Sequence, residues 1–508
     1  MRRILPALLA LAMLGSGCKE SGTVLMQLHI SGDDNKSPLR NPGTATRPSS
    51  DVETLSLEAK NANTGETQKK ELTNDFSVSD RIDVGALKVS PGAGWRLTLT
   101  GVDRYGYLQG LGRSLSFEVP KKGEVQVPIV FGIADDFSTS GELGDGAGQW
   151  AQVNVLPDGA VLISGPGGIF VHDPRTGEVC GKDCLTGDLP AARSHHTAVT
   201  LKDGRVLIAG GKDSTGAALD DLWVFNASSR TFEKKSVTGF VGRFGAGAAL
   251  LGDGRVAIAG GRGADASVGS SVQIVDVDAA TVTTGAPLSK SLFQPAAVAL
   301  NSGAVLLTGG FDDAGKPLAD AVLIAADGTA NALPAMAHAR GGHSATVLSD
   351  GAVLIYGGID AAALAMANPE VFIAEGNGGA FSEVQNSGNT APPPRAGHAA
   401  VRIATGEVLV MGGEPASIAV PDPAKQLPVE KLDATKVGVN YLLTVTESGS
   451  SASRTGGAAV VLPDESVLLA GGARPALLDP SKVADTADWV KTAELFVPCA
   501  LPGESCGR

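Results

Sequence analysis

TLKDGRVLIAGG, Thr200–Gly211, reads as an apolar strand, a tight turn and a second apolar strand that ends on a glycine pair. Asp203-Gly204 is the turn, because a two-residue hairpin loop needs positive φ and Asp-Gly adopts it at low steric cost. Val206, Leu207 and Ile208 continue as a buried strand. Gly210-Gly211 then lets the backbone bend or approach a neighbour where a Cβ would interfere.

The hairpin recurs. Its second strand returns as AVLISG (160–165), RVAIAGG (255–261), AVLLTGG (304–310), AVLIYGG (352–358), EVLVMGG (407–413) and SVLLAGG (466–472). The turns before these strands are Asp158-Gly159, Asp203-Gly204, Asp253-Gly254, Ser302-Gly303, Asp350-Gly351, Thr405-Gly406 and Asp464-Glu465. Successive turns lie 45, 50, 49, 48, 55 and 59 residues apart. Each unit continues into a third apolar strand, such as LWVFN (222–226) or EVFIA (370–374), and a more polar fourth, such as Thr231–Val237 or Gly379–Val384. In unit six the third strand reads as NYLLTV (440–445), with Glu414–Val439 an inserted surface loop before it. Four strands on a period near 50 residues predict the blades of a β-propeller.

Units open on an Arg-x-x-His pattern at Arg193–His196, Arg340–His343 and Arg395–His398. With the glycine pair and the apolar third strand, this resembles the kelch motif over about 360 of the 508 residues. The Tyr and Trp of a kelch repeat are mostly replaced, Trp223 being among the few aromatics in the third strands. The resemblance implies an all-β, seven-bladed kelch-type propeller over 135–508, with six blades as the alternative. The seventh unit lacks a fourth strand after Ala493–Val497, and DFSTSGE, Asp136–Glu142, has the polarity to supply it and close the ring.

Ahead of the propeller, residues 18–134 carry a tether and then candidate strands Val24–Ile30, Val52–Ala59, Thr67–Leu72, Arg96–Val102, Ser114–Val119 and Glu124–Phe131. Strands separated by turn residues predict a small β-sandwich, with Ser31–Asp51 an exposed loop. Its His29, alone on a strand, reads as a structural or solvent-facing residue and not as a ligand.

Residues 1–17 are a targeting segment: Arg2 and Arg3, the apolar run Ile4–Leu14, then small residues before Cys18. LGSGC resembles the lipobox of bacterial lipoproteins, except that Leu14 stands four residues before the cysteine instead of three. The resemblance implies lipidation of Cys18, and Lys19 in place of the inner-membrane retention Asp implies the outer membrane of a Gram-negative cell. An ordinary secretory signal is the alternative. Export allows disulfides, and the near pairings Cys180–Cys184 and Cys499–Cys506 are expected among three possible connectivities. A zinc site is the other reading of these cysteines, but no His accompanies either pair at ligand spacing.

A net charge of -13 argues against nucleic acid as a partner. The sequence contains no G-x-S-x-G, H-E-x-x-H or P-loop, and no metal or cofactor is expected. Galactose-oxidase-like enzymes resemble the chain only in the blades. They need copper ligands and a Tyr–Cys crosslink, and the propeller here has two tyrosines, Tyr356 and Tyr441. His196, His343 and His398 occupy one slot in different blades and so are spread around the ring, away from a shared metal.

Arg193, Arg243, Arg340, Arg395 and Arg454 also share a slot, with Gln294 assigned to it in unit four. In kelch domains that resemble this one, that slot lies near the channel mouth, where five guanidiniums would hold carboxylates. The other reading is that each arginine braces its own blade. The chain is therefore expected to be an outer-membrane lipoprotein without enzymatic activity that binds or scaffolds a protein or glycan ligand, acidic ones included. A sugar oxidase or epimerase on the same fold and a structural envelope component are the alternatives. Replacing Cys18 by Ser should release the protein from membranes and abolish acyl labelling; a variant that stays in the membrane fraction and still labels contradicts the lipobox reading.

Overall fold

The computed structural model describes residues 22–30, 52, 54–72, 88–103, 107–122, 124–143, 147–181, 184–376, 378–387, 391–415, 427–438, 440–447, 454–473 and 489–499. The targeting segment, Cys18, the loop expected at Ser31–Asp51 and Cys506 lie outside them.

Among these residues seven sheets, antiparallel but for one edge strand, follow one another along the chain, one per repeat, and make a β-propeller. Their inner strands are Gln152–Val155, Thr197–Thr200, Gly247–Leu250, Ala296–Ala299, Ser344–Val347, Ala399–Arg402 and Thr455–Val461. Each touches the next, and the seventh touches the first, which closes the ring. Blades are numbered one to seven in that order.

Blade two shows why the second strand is apolar without alternation. Val206–Ala209 lies between Thr197–Thr200 and Leu222–Asn226, and all four of its residues are buried. Val206 and Ile208 face blade one, packing with Leu162 and Val171, whereas Leu207 and Ala209 face blade three, packing with Val256 and Ile258. Successive side chains point to opposite faces, and in a ring both faces are core.

The turn differs from the expected two-residue loop. The Leu201 N–H donates to the Arg205 carbonyl at 2.8 Å and the Gly204 N–H to the Leu201 carbonyl at 3.0 Å. The loop is therefore Lys202, Asp203 and Gly204, and only Gly204, at φ 83°, takes the left-handed conformation. This is the three-residue hairpin in which a type I turn is followed by one left-handed residue.

The closing strand forms as expected. Phe137–Glu142 pairs antiparallel with Thr492–Phe496, with a bulge at Ala493/Glu494. Blade six departs from expectation. Glu430–Val437 is its third strand and Asn440–Glu447 its fourth, so the reading of Glu414–Val439 as a loop is corrected. The segment reads as polar because two of its charges are buried in pairs, Glu430 with Arg395 and Lys431 with Asp135. Gln385–Asn386 adds a fifth, parallel strand at the outer edge.

Among the described residues the N-terminal strands are all linked in one eight-stranded mixed sheet. Gly22–Ile30 runs parallel to Glu124–Ile133. Leu55, Leu57, Trp95, Leu97, Leu99, Ile129 and Phe131 form its own core. Leu108–Arg113 is a strand that the sequence hid behind glycines, since a Cβ on Gly110 would stand 2.5 Å from the Phe131 ring. The opposite side of this sheet, through Leu111 and Val130, shares a core with Leu462 and Val497 of blade seven and Val161 of blade one. Arg96 pairs with Glu465 in the hairpin turn of blade seven, and Leu115 covers Gly159 in that of blade one. The sheet thus docks on the face that carries the turns between the first and second strands of the blades, the lower face.

Cys180 and Cys184 face each other with Cα atoms 5.7 Å apart, a separation that a disulfide spans. Phe137, 3% exposed, packs tilted against Phe496 with ring centroids 5.1 Å apart. Phe137→Ala should lower unfolding free energy by about 3–5 kcal/mol in a urea titration; a loss under about 1 kcal/mol would mean the closing strand contributes little.

Candidate functional site

The five arginines are not in the channel. None is more than 2% exposed. Each sends Nη1 to the carbonyl of the first glycine of its own blade's pair, at 2.9 Å from Arg193 to Gly210, 3.2 Å from Arg243 to Gly260, and 3.0 Å from Arg340, Arg395 and Arg454 to Gly357, Gly412 and Gly471. Four also pair with a carboxylate at or beside the start of the third strand: Arg193 with Asp221 and Arg340 with Glu370 at 2.6 Å, Arg395 with Glu430 at 2.9 Å, and Arg454 with Glu494 at 2.6 Å. Arg243 has the neutral Gln273 instead, at 2.8 Å, and burial pushes its guanidinium down to about 10. The ligand-ring expectation is corrected accordingly: these groups are consumed in bracing the blades.

The spacing also corrects unit four. Each brace spans 17 residues, and 17 before Gly309 is Leu292, so Leu292 and not Gln294 holds the slot. The slot of unit one is Gly148 by the same count.

The histidines of the opening motif staple neighbouring blades. His196 Nε2 lies 2.7 Å from Ser164 Oγ, His343 Nε2 2.9 Å from Thr308 Oγ1, and His398 Nε2 2.8 Å from Ser344 Oγ, each hydroxyl belonging to the preceding blade. Burial, with Arg193 beside it, holds His196 down at about 3, so the ring is neutral. Among the described residues, no three His, Cys, Asp or Glu side chains gather as a metal-binding set.

Two residues after the slot, every blade places one residue in the left-handed region. In blades three, five, six and seven it is Gly245, Gly342, Gly397 and Gly456. In blades one, two and four it is Trp150, His195 and Gln294, with φ of 63°, 55° and 51°. These seven residues are joined from blade to blade by backbone hydrogen bonds. Gly245 donates to His195 at 2.8 Å and Gln294 to Gly245 at 2.7 Å, making one arc. Gly397 donates to Gly342, Gly456 to Gly397 and Trp150 to Gly456, all at 2.8 Å, making a second. Between the arcs, at the gap between blades four and five, lies a small recess lined by Trp150, Gln294, Phe311, Gly342, Ile359 and Ala396.

The Trp150 and His195 rings are tilted against each other at 5.6 Å, and His195 lies over Phe293 at 6.5 Å. Positive charge enters from the residue after the glycine pair: Lys212 Nζ stands 5.4 Å from the Phe244 ring and the Arg262 guanidinium 4.2 Å from the Phe293 ring. This is the upper face, opposite the docked N-terminal sheet. Sequence reading missed it because the motif was aligned on its charged residue; counting from the glycine pair would have put Trp150, His195 and Gln294 in one column.

Fold and site together define a β-propeller with a polar-aromatic cluster at one end of its axis. Residues 190–414 match the sequence profile of the β-propeller of tRNA wybutosine-synthesizing protein 4. No curated protein matches the chain. Among solved structures, a fungal alcohol oxidase of the AA5 family in complex with copper is similar in fold, with a TM-score of 0.53 and 15% identity over 72% of this chain and 76% of that one. The residues here do not fit copper in such a centre. Tyr356 and Tyr441 are core residues whose hydroxyls bond the Pro393 carbonyl and Asp350, each at 2.5 Å.

Arg340→Ala leaves the Glu370 carboxylate buried without its cation, and should cost about 3–5 kcal/mol of stability in chemical denaturation. Adding Glu370→Gln should recover part of that loss. A single variant as stable as the parent would contradict the bracing role.

Proposed function

We propose that the chain is a non-catalytic binding module: a kelch-type propeller, carried on an outer-membrane lipid anchor at Cys18, that takes a protein or glycan ligand at its upper face. The observation that carries this reading is the set Trp150, His195 and Gln294. A non-glycine residue in the left-handed region costs about 1 kcal/mol or more, and four of the seven equivalent positions avoid that by using glycine. The other three keep side chains able to stack and hydrogen-bond, grouped around the channel mouth. Strain retained at clustered positions is characteristic of functional sites.

The placement of the N-terminal sheet supports the same reading. It occupies the lower face, so a tether leading from it leaves the upper face turned outward. The charge expected of the arginine ring is supplied at the mouth by Lys212 and Arg262. Among the described residues no helix is long and apolar enough to cross a membrane; attachment rests on Cys18.

Glycan and peptide arrays probed with the protein and with its His195→Ala variant test the proposal. One ligand class should be retained by the parent and lost by the variant. Retention of no class, or retention equal in both, would contradict a ligand site at the mouth.

A further inference from the structure

On the upper face, the loop after the glycine pair takes one shape in blades two, four and five. Asp213, Asp312 and Asp360 each accept, through Oδ1, the N–H groups of the second and fourth residues that follow, at 2.8–3.0 Å. The third residue is left-handed: Gly216, Gly315 and Ala363. A Cβ on Gly216 or Gly315 would meet nothing within 4 Å, so the position faces outward. Blade five keeps a methyl there at φ 59°, and so carries backbone strain for a group that packs on nothing in the equivalent loops.

The three loops differ in what they show to solvent. DSTGA (213–217) and DDAGK (312–316) are polar, whereas DAAALAMA (360–367) is apolar after its aspartate. The polar backbone of the blade-five loop is used within it: besides the two bonds to the Asp360 carboxylate, Ala363 donates to the Asp360 carbonyl and Asp360 to the Leu364 carbonyl, both at 3.0 Å. Ala361, Ala362 and Leu364 are exposed, Leu364 by 48%. Pro394, also exposed, continues this surface onto blade six, where the next residue, Arg395, donates its N–H to the Met366 carbonyl at 3.3 Å. Charge lies on the other side of the mouth. No Lys or Arg occurs over 341–394, whereas Asp213, Arg262, Asp265, Asp313 and Lys316 stand on the corresponding loops of blades two to four. A sugar laid on the apolar side would bury hydroxyls against methyl groups and lose their hydrogen bonds to water. An apolar centre flanked by polar groups is instead the make-up of a protein–protein interface.

Resting on the binding reading above, we propose that the upper-face ligand is a protein, and that the blade-five loop, through Ala361, Ala362 and Leu364 with Pro394 beside it, receives an aliphatic or aromatic side chain of that partner. The charged loops of blades two to four then meet the polar residues around that side chain.

The test probes the full chain with phage-displayed random-sequence peptides and with a glycan array, and titrates the enriched peptides after synthesis. Those peptides should share an apolar residue. Replacing that residue by serine should weaken binding about tenfold, and so should Leu364→Ser, as expected for one half-exposed leucine contact. Leu364→Met should retain the affinity, both variants should melt with the parent, and the loss on Leu364→Ser should be the same at low and high salt. Binding to glycans alone, lost in His195→Ala and untouched by Leu364→Ser, would overturn the protein assignment and leave a ligand site at the mouth standing. Enriched peptides without a shared apolar residue, or with affinities that ignore both Leu364→Ser and Leu364→Asp, would overturn the docking surface. A doubled mass in solution that Leu364→Asp returns to that of one chain would put a second copy there and overturn it too. Retention of neither peptides nor glycans would overturn both this inference and the reading it rests on.

Discussion

The amide of the second glycine in each pair carries the structure from one blade to the next. Gly211 donates to the carbonyl of Arg243, Gly261 to Leu292, Gly310 to Arg340, Gly358 to Arg395, Gly413 to Arg454 and Gly472 to Gly148, at 2.7–3.0 Å. The last of these joins blade seven to blade one. The first glycine makes the approach possible, since a Cβ on Gly210 would lie 2.3 Å from the Arg243 carbonyl. The arginine acts twice. Its backbone receives the preceding blade, and its guanidinium grips the first glycine and the third strand of its own blade. Blade one is the exception: Pro166 follows Gly165 and has no N–H, and blade two is joined instead by the Arg193 N–H to the Gly165 carbonyl at 3.3 Å, by the Ser164–His196 staple and by the Asn154 side chain, which donates to the Ala198 carbonyl and the Thr200 hydroxyl.

With the blades fixed in this way, the two faces are free to differ. The lower face is built from hairpin turns and receives the N-terminal sheet at blades seven and one, where the chain also closes the ring. Asp135, just before the closing strand, accepts from Lys431 of blade six at 2.6 Å and from the Cys499 N–H at 3.0 Å, so sheet, closure and C-terminal strand share one joint. The upper face collects the blade-opening turns, where backbone bonding supplies the order and side chains are released for other work. Trp150, His195 and Gln294 are the ones so released.

The repeat, the closing strand and the outward order of strands were legible because they rest on glycine positions and on apolar runs that both faces of a blade bury. Glu430–Val437 was illegible because its charges are hidden by partners distant in sequence. Leu108–Arg113 was illegible because Gly110 and Gly112, which read as a loop, are there to admit Phe131 and Ile129. The arginine slot was visible as a repeat, but its orientation was not. Nothing in five equally spaced arginines says whether they face the axis or the glycine carbonyls, since the carboxylates that settle it lie 28–40 residues away. The candidate site escaped notice for a related reason: its three residues share a backbone conformation and no chemistry.

The claim that the second-glycine amides join the blades is open to direct measurement by native-state hydrogen exchange. The amides of Gly211, Gly261, Gly310, Gly358, Gly413 and Gly472 should exchange only through global unfolding, as slowly as the central-strand amides of Val206–Ala209. Exchange of these glycines at the rate of the neighbouring loops, with the central strands still protected, would contradict it.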